Sequence, residues 1–116
     1  MREKAKYLEI RDFVAMQIIK GRLKSGDKLF TKTFFINKFK VNPKYVDRAY
    51  EKMIEENLII TKEDNYYLNF DENMVRKLIN QFANEITNDY LYEMEEIGMD
   101  FDKVYKFLTT RLNAHG

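Results

Sequence analysis

The chain has 116 residues, of which 45% are hydrophobic and 15% aromatic, so it can bury one modest core and is too apolar to stay disordered. It has no cysteine, which excludes a disulfide framework, thiolate metal sites and cysteine catalysis. The net charge of +1 hides a split: residues 1–56 hold 14 Lys and Arg against 8 Asp and Glu, while residues 57–116 hold 6 against 11, a pattern that suits either one face for a polyanion or ordinary surface charge that clusters.

The charged opening Met-Arg-Glu-Lys-Ala-Lys leads into no apolar leader segment, and no apolar stretch approaches the length needed to cross a bilayer. The chain reads as soluble and cytoplasmic. A first helix is expected from about Ala5 to Lys20, because Tyr7, Ile10, Phe13, Val14 and Ile18 recur at three- and four-residue spacing. Gly21 stands where a helix end uses it, and Leu23 to Asp27 reads as a turn in which Gly26 can take positive φ.

Thr31 is the expected N-cap of a second helix, Lys32 to Phe39, with Phe35, Ile36 and Phe39 facing inward. Val41 plugs the corner that follows. Asn42 caps a third helix and Pro43 occupies its first turn, where a missing N–H costs nothing. Val46, Ala49, Tyr50, Met53 and Ile54 form its expected buried face, and Lys44, Tyr45, Asp47, Arg48 and Glu51 the other. Leu58 to Lys62 reads as a strand, Glu63-Asp64-Asn65 as a turn, and Tyr66 to Phe70 as the returning strand. Two helices joined by a tight corner and followed by a hairpin make a winged helix-turn-helix, whose second helix is shaped for the major groove of duplex DNA.

After Asp71 the pattern changes, which sets the expected domains at 1–70 and 71–116. Val75, Leu78, Ile79, Phe82, Ile86, Tyr90, Met94 and Ile97 make one apolar stripe on a long helix from Glu72 to about Gly98, roughly 36 Å long at 1.5 Å per residue. Asp100 or Asp102 caps a last helix bearing Val104, Phe107, Leu108 and Leu112. The expected fold class is therefore mainly α with a small β-hairpin: a winged helix-turn-helix plus a C-terminal two-helix dimerisation segment. A stripe of this length exceeds what the first 70 residues can cover. Val75, Leu78, Ile79, Phe82, Ile86, Tyr90 and Met94 are accordingly the expected homodimer residues, the simpler option being a helix that completes a monomeric core.

Residues 7–62 resemble the N-terminal domain of GntR-type bacterial transcription regulators, and the whole chain looks like their short YtrA-type members. The matching residues are Tyr7-Leu8-Glu9-Ile10-Arg11-Asp12-Phe13, Ile18, Gly21-Arg22-Leu23, Gly26-Asp27-Lys28-Leu29, Val41-Asn42-Pro43, Val46, Arg48-Ala49-Tyr50-Glu51 and Leu58-Ile59. The resemblance implies a dimer that binds double-stranded DNA at a near-palindromic operator, usually as a repressor, with no cofactor and no large effector domain. It also implies contact residues, which the chain keeps unevenly. Where the family opens its second helix with Leu-Pro-Ser-x-Arg, this chain reads Leu29-Phe30-Thr31-Lys32-Thr33. Tyr45 stands where a small polar residue is usual, Asp47 where arginine or glutamine is usual, and the wing tip is Glu63-Asp64-Asn65 rather than glycines with a base.

The DNA-contact candidates are Thr31, Lys32, Asn42, Pro43, Lys44, Tyr45, Arg48 and Lys62. Asn42, Pro43 and Lys44 open the recognition helix. Lys32, with Lys28, suits phosphate contacts that position without reading sequence, or plain solubility. Tyr45 stacks on a sugar or thymine methyl, or packs at the helix corner. Arg48 reaches a guanine or a phosphate, or pairs with Asp47 or Glu51. Lys62, read as the base of the wing, is a phosphate candidate. An enzyme is not expected: the one histidine is His115, no metal-ligand spacing or phosphate loop is present, and Glu93, Glu95, Glu96, Asp100 and Asp102 read as a solvated surface. The alternative to a regulator is a protein-interaction module on the same fold that has lost sequence-specific DNA binding.

Overall fold

The caps and turns written into the sequence set the element boundaries. In the computed structural model, which describes residues 3–115 without the side chain of His115, the order is α1 (Lys6–Ile19), α2 (Lys32–Phe39), α3 (Pro43–Glu55), β1 (Ile59–Lys62), β2 (Asn65–Leu68), α4 (Glu72–Glu96) and α5 (Phe101–His115). The strands pair antiparallel in the register Ile59–Leu68 to Lys62–Asn65. The fold class is the expected one: mainly helical, with a winged helix-turn-helix arrangement. Two compact units divide the chain inside α4, one over residues 3–79 and the other from Asn80 onward.

Helix ends follow a common rule. Gly21, Asn57 and Gly98 all take positive φ after α1, α3 and α4. At each, the next N–H reaches back to the carbonyl five residues earlier, as in Arg22 N to Gln17 O at 2.9 Å, Leu58 N to Met53 O at 2.9 Å and Met99 N to Met94 O at 2.9 Å. These are Schellman closures, which satisfy carbonyls that the helix end would otherwise leave unpaired. Apart from α1, whose N-cap is Ala5, starts are capped by side chains: the Thr31 hydroxyl accepts from Phe34 N at 3.1 Å and the Asn42 side-chain carbonyl from Lys44 N at 3.0 Å. Asp71 and Asp100 accept from Met74 N and Lys103 N in the same way.

The core of the first unit gathers α1, α3, the hairpin and Phe35 of α2. Ile10, Val14, Ala15, Ile18, Phe35, Val46, Ala49, Tyr50, Met53, Leu58, Ile59 and Leu68 are buried. Five expected positions differ, two of them Ile36 and Phe39 of α2, which are half-buried. Tyr7 and Phe13 are only half-buried, because the buried stripe of α1 turns toward Arg11 and Ala15. Ile54 is 42% exposed, since it lies about 100° around the helix from Met53, past the edge of the face that packs.

The hairpin is shorter than the sequence suggested. Asn65 belongs to the ladder, so the turn is the two-residue pair Glu63-Asp64, with φ of 51° and 63°. Phe70 lies beyond the strand, and its N–H is held by the Ser25 hydroxyl at 3.0 Å. On the other edge of β2, Lys28 bridges to Tyr67, and Leu29 N donates to Tyr66 O at 2.9 Å. Two consecutive positive φ angles are the requirement of a type I′ turn, met best by Asn-Gly. A Glu63→Asn, Asp64→Gly double variant is therefore expected to gain about 1 kcal/mol by relieving left-handed strain. Thermal unfolding should show it as a rise of about 4–8 °C for a unit of this size, and an unchanged or lower midpoint would contradict the strain argument.

Candidate nucleic-acid interface

The corner between α2 and α3 is built from three residues. Lys40 ends α2 in the left-handed region, φ 55°, with its N–H on Ile36 O at 2.9 Å. Val41 is half-buried beneath the corner. Asn42 then caps α3 and Pro43 supplies its first turn. Lys44, Tyr45, Asp47 and Arg48 follow on the outward side of α3, all exposed. Thr31, Thr33, Pro43 and Asn42 are exposed too. Both cap oxygens are occupied by backbone N–H groups, which leaves the Thr31 hydroxyl proton and the Asn42 amide N–H groups for an external acceptor.

Lys32 does not stand free. Its ammonium lies 3.0 Å from Asp47 Oδ1, 5.2 Å from the centre of the Tyr50 ring and 5.4 Å from that of Tyr66. The hydrogen bond to Asp47 raises the Lys32 pKa against the opposing effect of burial. The cage is itself fixed. Tyr50 donates its hydroxyl to Phe30 O at 2.6 Å and meets Tyr66 edge-on at 4.7 Å, while burial, followed by Tyr66, pushes its own pKa up. A shallow groove lined by Lys28, Thr31, Lys32, Tyr50, Asp64 and Tyr66 runs from the hairpin to the start of α2.

Two further cations, Arg48 and Lys44, are also engaged. Arg48 lies 3.7 Å from Glu51 and 3.6 Å from Glu55, with its guanidinium 4.8 Å above the Tyr7 ring. Lys44 lies 5.2 Å from the ring centre of Tyr45. Lys62 is exposed and pairs with Asn65 at the last rung before the turn, so it sits at the tip of the wing and not at its base, beside Glu63 and Asp64. Over its length α3 carries Lys44, Arg48 and Lys52 against Asp47, Glu51 and Glu55, a neutral balance. Asp47 as the partner of Lys32 escaped the sequence reading, since fifteen residues and a corner separate the two and no local spacing announces the pair.

No protein-family model matches the chain. Among curated proteins it is 23% identical over 105 residues to the uncharacterized HTH-type transcriptional regulator YhcF of Bacillus subtilis, covering 90% of this chain and 87% of that one. Among solved structures it is 27% identical to a GntR family transcriptional regulator from Listeria monocytogenes, with a TM-score of 0.72 over 95% of this chain and 97% of that one. YtrA from Sulfolobus acidocaldarius, a GntR-family transcription factor, is 28% identical, with a TM-score of 0.56 over 72% of this chain and 90% of that one. In sequence and fold the chain is similar to these GntR-family regulators.

The chain departs most from a self-contained globule after Asn80. In the first part of α4, Val75 is half-buried, Leu78 buried and Ile79 exposed; further on, Phe82, Tyr90 and Met94 are half-buried and Ile86 is exposed. From Asn80 onward, Val104 is the single fully buried apolar residue among the described ones. Phe101, Tyr105, Leu108 and Leu112 share one face of α5 by their spacing, yet Phe101 is 73% and Leu112 71% exposed. Among the described residues no group of three or more His, Cys, Asp or Glu is placed to hold a metal ion, and no helix is long and apolar enough to cross a membrane.

Proposed function

We propose that this chain is a homodimeric, DNA-binding transcription regulator, cytoplasmic and without a cofactor, that acts as a repressor at a near-palindromic operator. Residues 1–70 form the DNA-binding head and residues 71–116 the dimerisation segment. The observation that carries this reading is the capped α2–α3 corner with the exposed start of α3, in a chain similar to GntR-family regulators. Asn42, Pro43, Lys44 and Tyr45 enter the major groove, Arg48 follows one turn on, Thr31 and Lys62 approach the backbone, and Lys32 lies beside them in its pair with Asp47. The apolar face along Phe82, Ile86, Tyr90 and Met94, with that of α5, closes against a second copy. Large exposed apolar surface of this kind marks an interface, and two-fold pairing gives two recognition helices for two half-sites.

The test is a fluorescence-anisotropy titration against a duplex carrying the chain's own upstream region, combined with sedimentation. A salt-sensitive complex at micromolar protein and a particle of twice 14.1 kDa are expected, and Leu112→Glu with Phe101→Glu should return the particle to monomer mass. A monomer at all concentrations would remove the dimer, and absence of any complex at low salt would remove DNA binding. The second reading, an interaction module, is favoured by the ion pairs of Lys32 and Arg48 with carboxylates of α3. Stable hetero-dimers with related regulators, together with no duplex affinity, would decide for it.

A further inference from the structure

On the proposed DNA-contacting face, Lys32 has a carboxylate and two rings around it before any ligand arrives. Lys32 is held from three directions: the Asp47 carboxylate at 3.0 Å, the Tyr50 ring at 5.2 Å and the Tyr66 ring at 5.4 Å. These three partners come from α3 and β2, so the arrangement ties the start of α2 to the recognition helix and to the wing. Negatively charged ring faces and a carboxylate are the groups that recognise an ammonium. A DNA phosphate offers Lys32 the same charge that Asp47 already provides, without the two rings.

We infer that Asp47 stands in for a phosphate, keeps Lys32 closed upon itself when this face meets DNA, and thereby sets the affinity and salt dependence of binding. The inference rests on the proposed DNA-binding function. Its physical content is counterion release. A lysine that neutralises a phosphate adds about 0.9 to the slope of log K against log salt, whereas a lysine already neutralised within the protein adds nothing. Asp47 also lies on the outward side of α3, in the same turn as Arg48 and one turn after Lys44, where an unpaired carboxylate repels the backbone. Opening the pair therefore brings no advantage on binding: the attraction of Lys32 for a phosphate is offset by an acid left facing the duplex.

The experiment measures the full-length chain, Asp47→Asn, Lys32→Gln and the double variant against a short random-sequence duplex over a range of salt. Non-specific binding needs no knowledge of the operator, and both side chains are exposed enough (41% for Lys32 and 57% for Asp47) for the fold to tolerate the changes, which far-ultraviolet circular dichroism verifies. Asp47→Asn is expected to steepen the slope by about 0.9 and to tighten binding about eightfold at 0.1 M salt for each protomer in contact with the duplex, the factor that this slope gives over one decade of salt. Lys32→Gln alone is expected to leave the slope unchanged, and in the Asp47→Asn background to remove the gain. A flatter slope for Lys32→Gln alone would mean that Lys32 already grips a phosphate, which overturns the inference. So would binding by the native chain with no gain from Asp47→Asn, although DNA binding itself would then stand. Absence of binding by both the native chain and Asp47→Asn at low salt would overturn DNA binding and this inference together.

Discussion

Replacing Arg11 with alanine is expected to destabilise the N-terminal unit by about 3 kcal/mol, a large share of the roughly 5–15 kcal/mol that holds a domain together. Arg11 is 2% exposed, the one charged residue among the buried ones described. Its Nε donates to Glu56 Oε1 at 2.8 Å, one Nη to Glu56 Oε2 at 2.5 Å and the other to Asp12 Oδ1 at 3.0 Å. Burial works against its charge, but the hydrogen bonds to Glu56 and Asp12 outweigh that and leave the pKa raised. A raised value means that the contribution is present at all pH below the ordinary arginine range and is lost only above it, so no weakening arises from Arg11 itself near neutrality. Glu56 is the C-cap of α3, so this fork fastens α1 to the end of the recognition helix. Truncation leaves two carboxylates facing a void; both keep some exposure to water, which places the loss at the lower end of the range for broken buried pairs. Arg11→Lys should recover less than half, because an ammonium cannot make the bidentate contact. Urea unfolding tests it: a midpoint falling by about 1 M or more is expected, and a loss under about 1 kcal/mol would show that the pair is dispensable.

Arg11 also shows where sequence reading reaches its limit. The helix-turn-helix was legible because its signals are local: a threonine cap, an Asn-Pro start, and apolar residues spaced for one face. The limits of α2 were readable to the residue for that reason. An arginine inside an apolar stripe carries no local sign of being buried; its partner, Glu56, lies 45 residues away. Lys32 and Asp47 pose the same problem across a corner. Ile54 was misplaced because propensity and spacing admit it to the buried face, while only the position of α1 decides how wide that face is. The hairpin turn came out one residue too long because Asn65 favours turns by composition, yet two residues with positive φ are enough to reverse the chain. An Arg48–Glu51 pair was open to the sequence because three residues separate the two, whereas the engagement of Lys32 with Asp47 is a property of the assembled fold.

Phe35→Ala is expected to cost about 4 kcal/mol. The ring has no exposure at all and stands at the centre of an aromatic group, edge-on to Phe30 at 5.9 Å, Phe34 at 5.3 Å, Phe13 at 6.3 Å and Tyr50 at 5.9 Å. Edge-to-face pairs add about 0.5–1.5 kcal/mol to what area alone provides, and here four of them share one ring. Phe35 is also the only fully buried residue of α2, so this eight-residue helix, too short to persist alone, depends on it for docking. Its neighbour Phe34 provides the control. That ring stacks on Phe30 at 4.5 Å but is 38% exposed, so Phe34→Ala should cost only about 1 kcal/mol, in proportion to the smaller area it removes from water. Losing the anchor of α2 also frees Phe30, whose carbonyl holds the Tyr50 hydroxyl, and with it the cage around Lys32. Phe35→Ala should therefore weaken duplex binding through the loss of folded protein and show a diminished near-ultraviolet signal from the tyrosines. Equal losses of stability for the two phenylalanine variants in urea would mean that burial in this group does not decide how α2 is held.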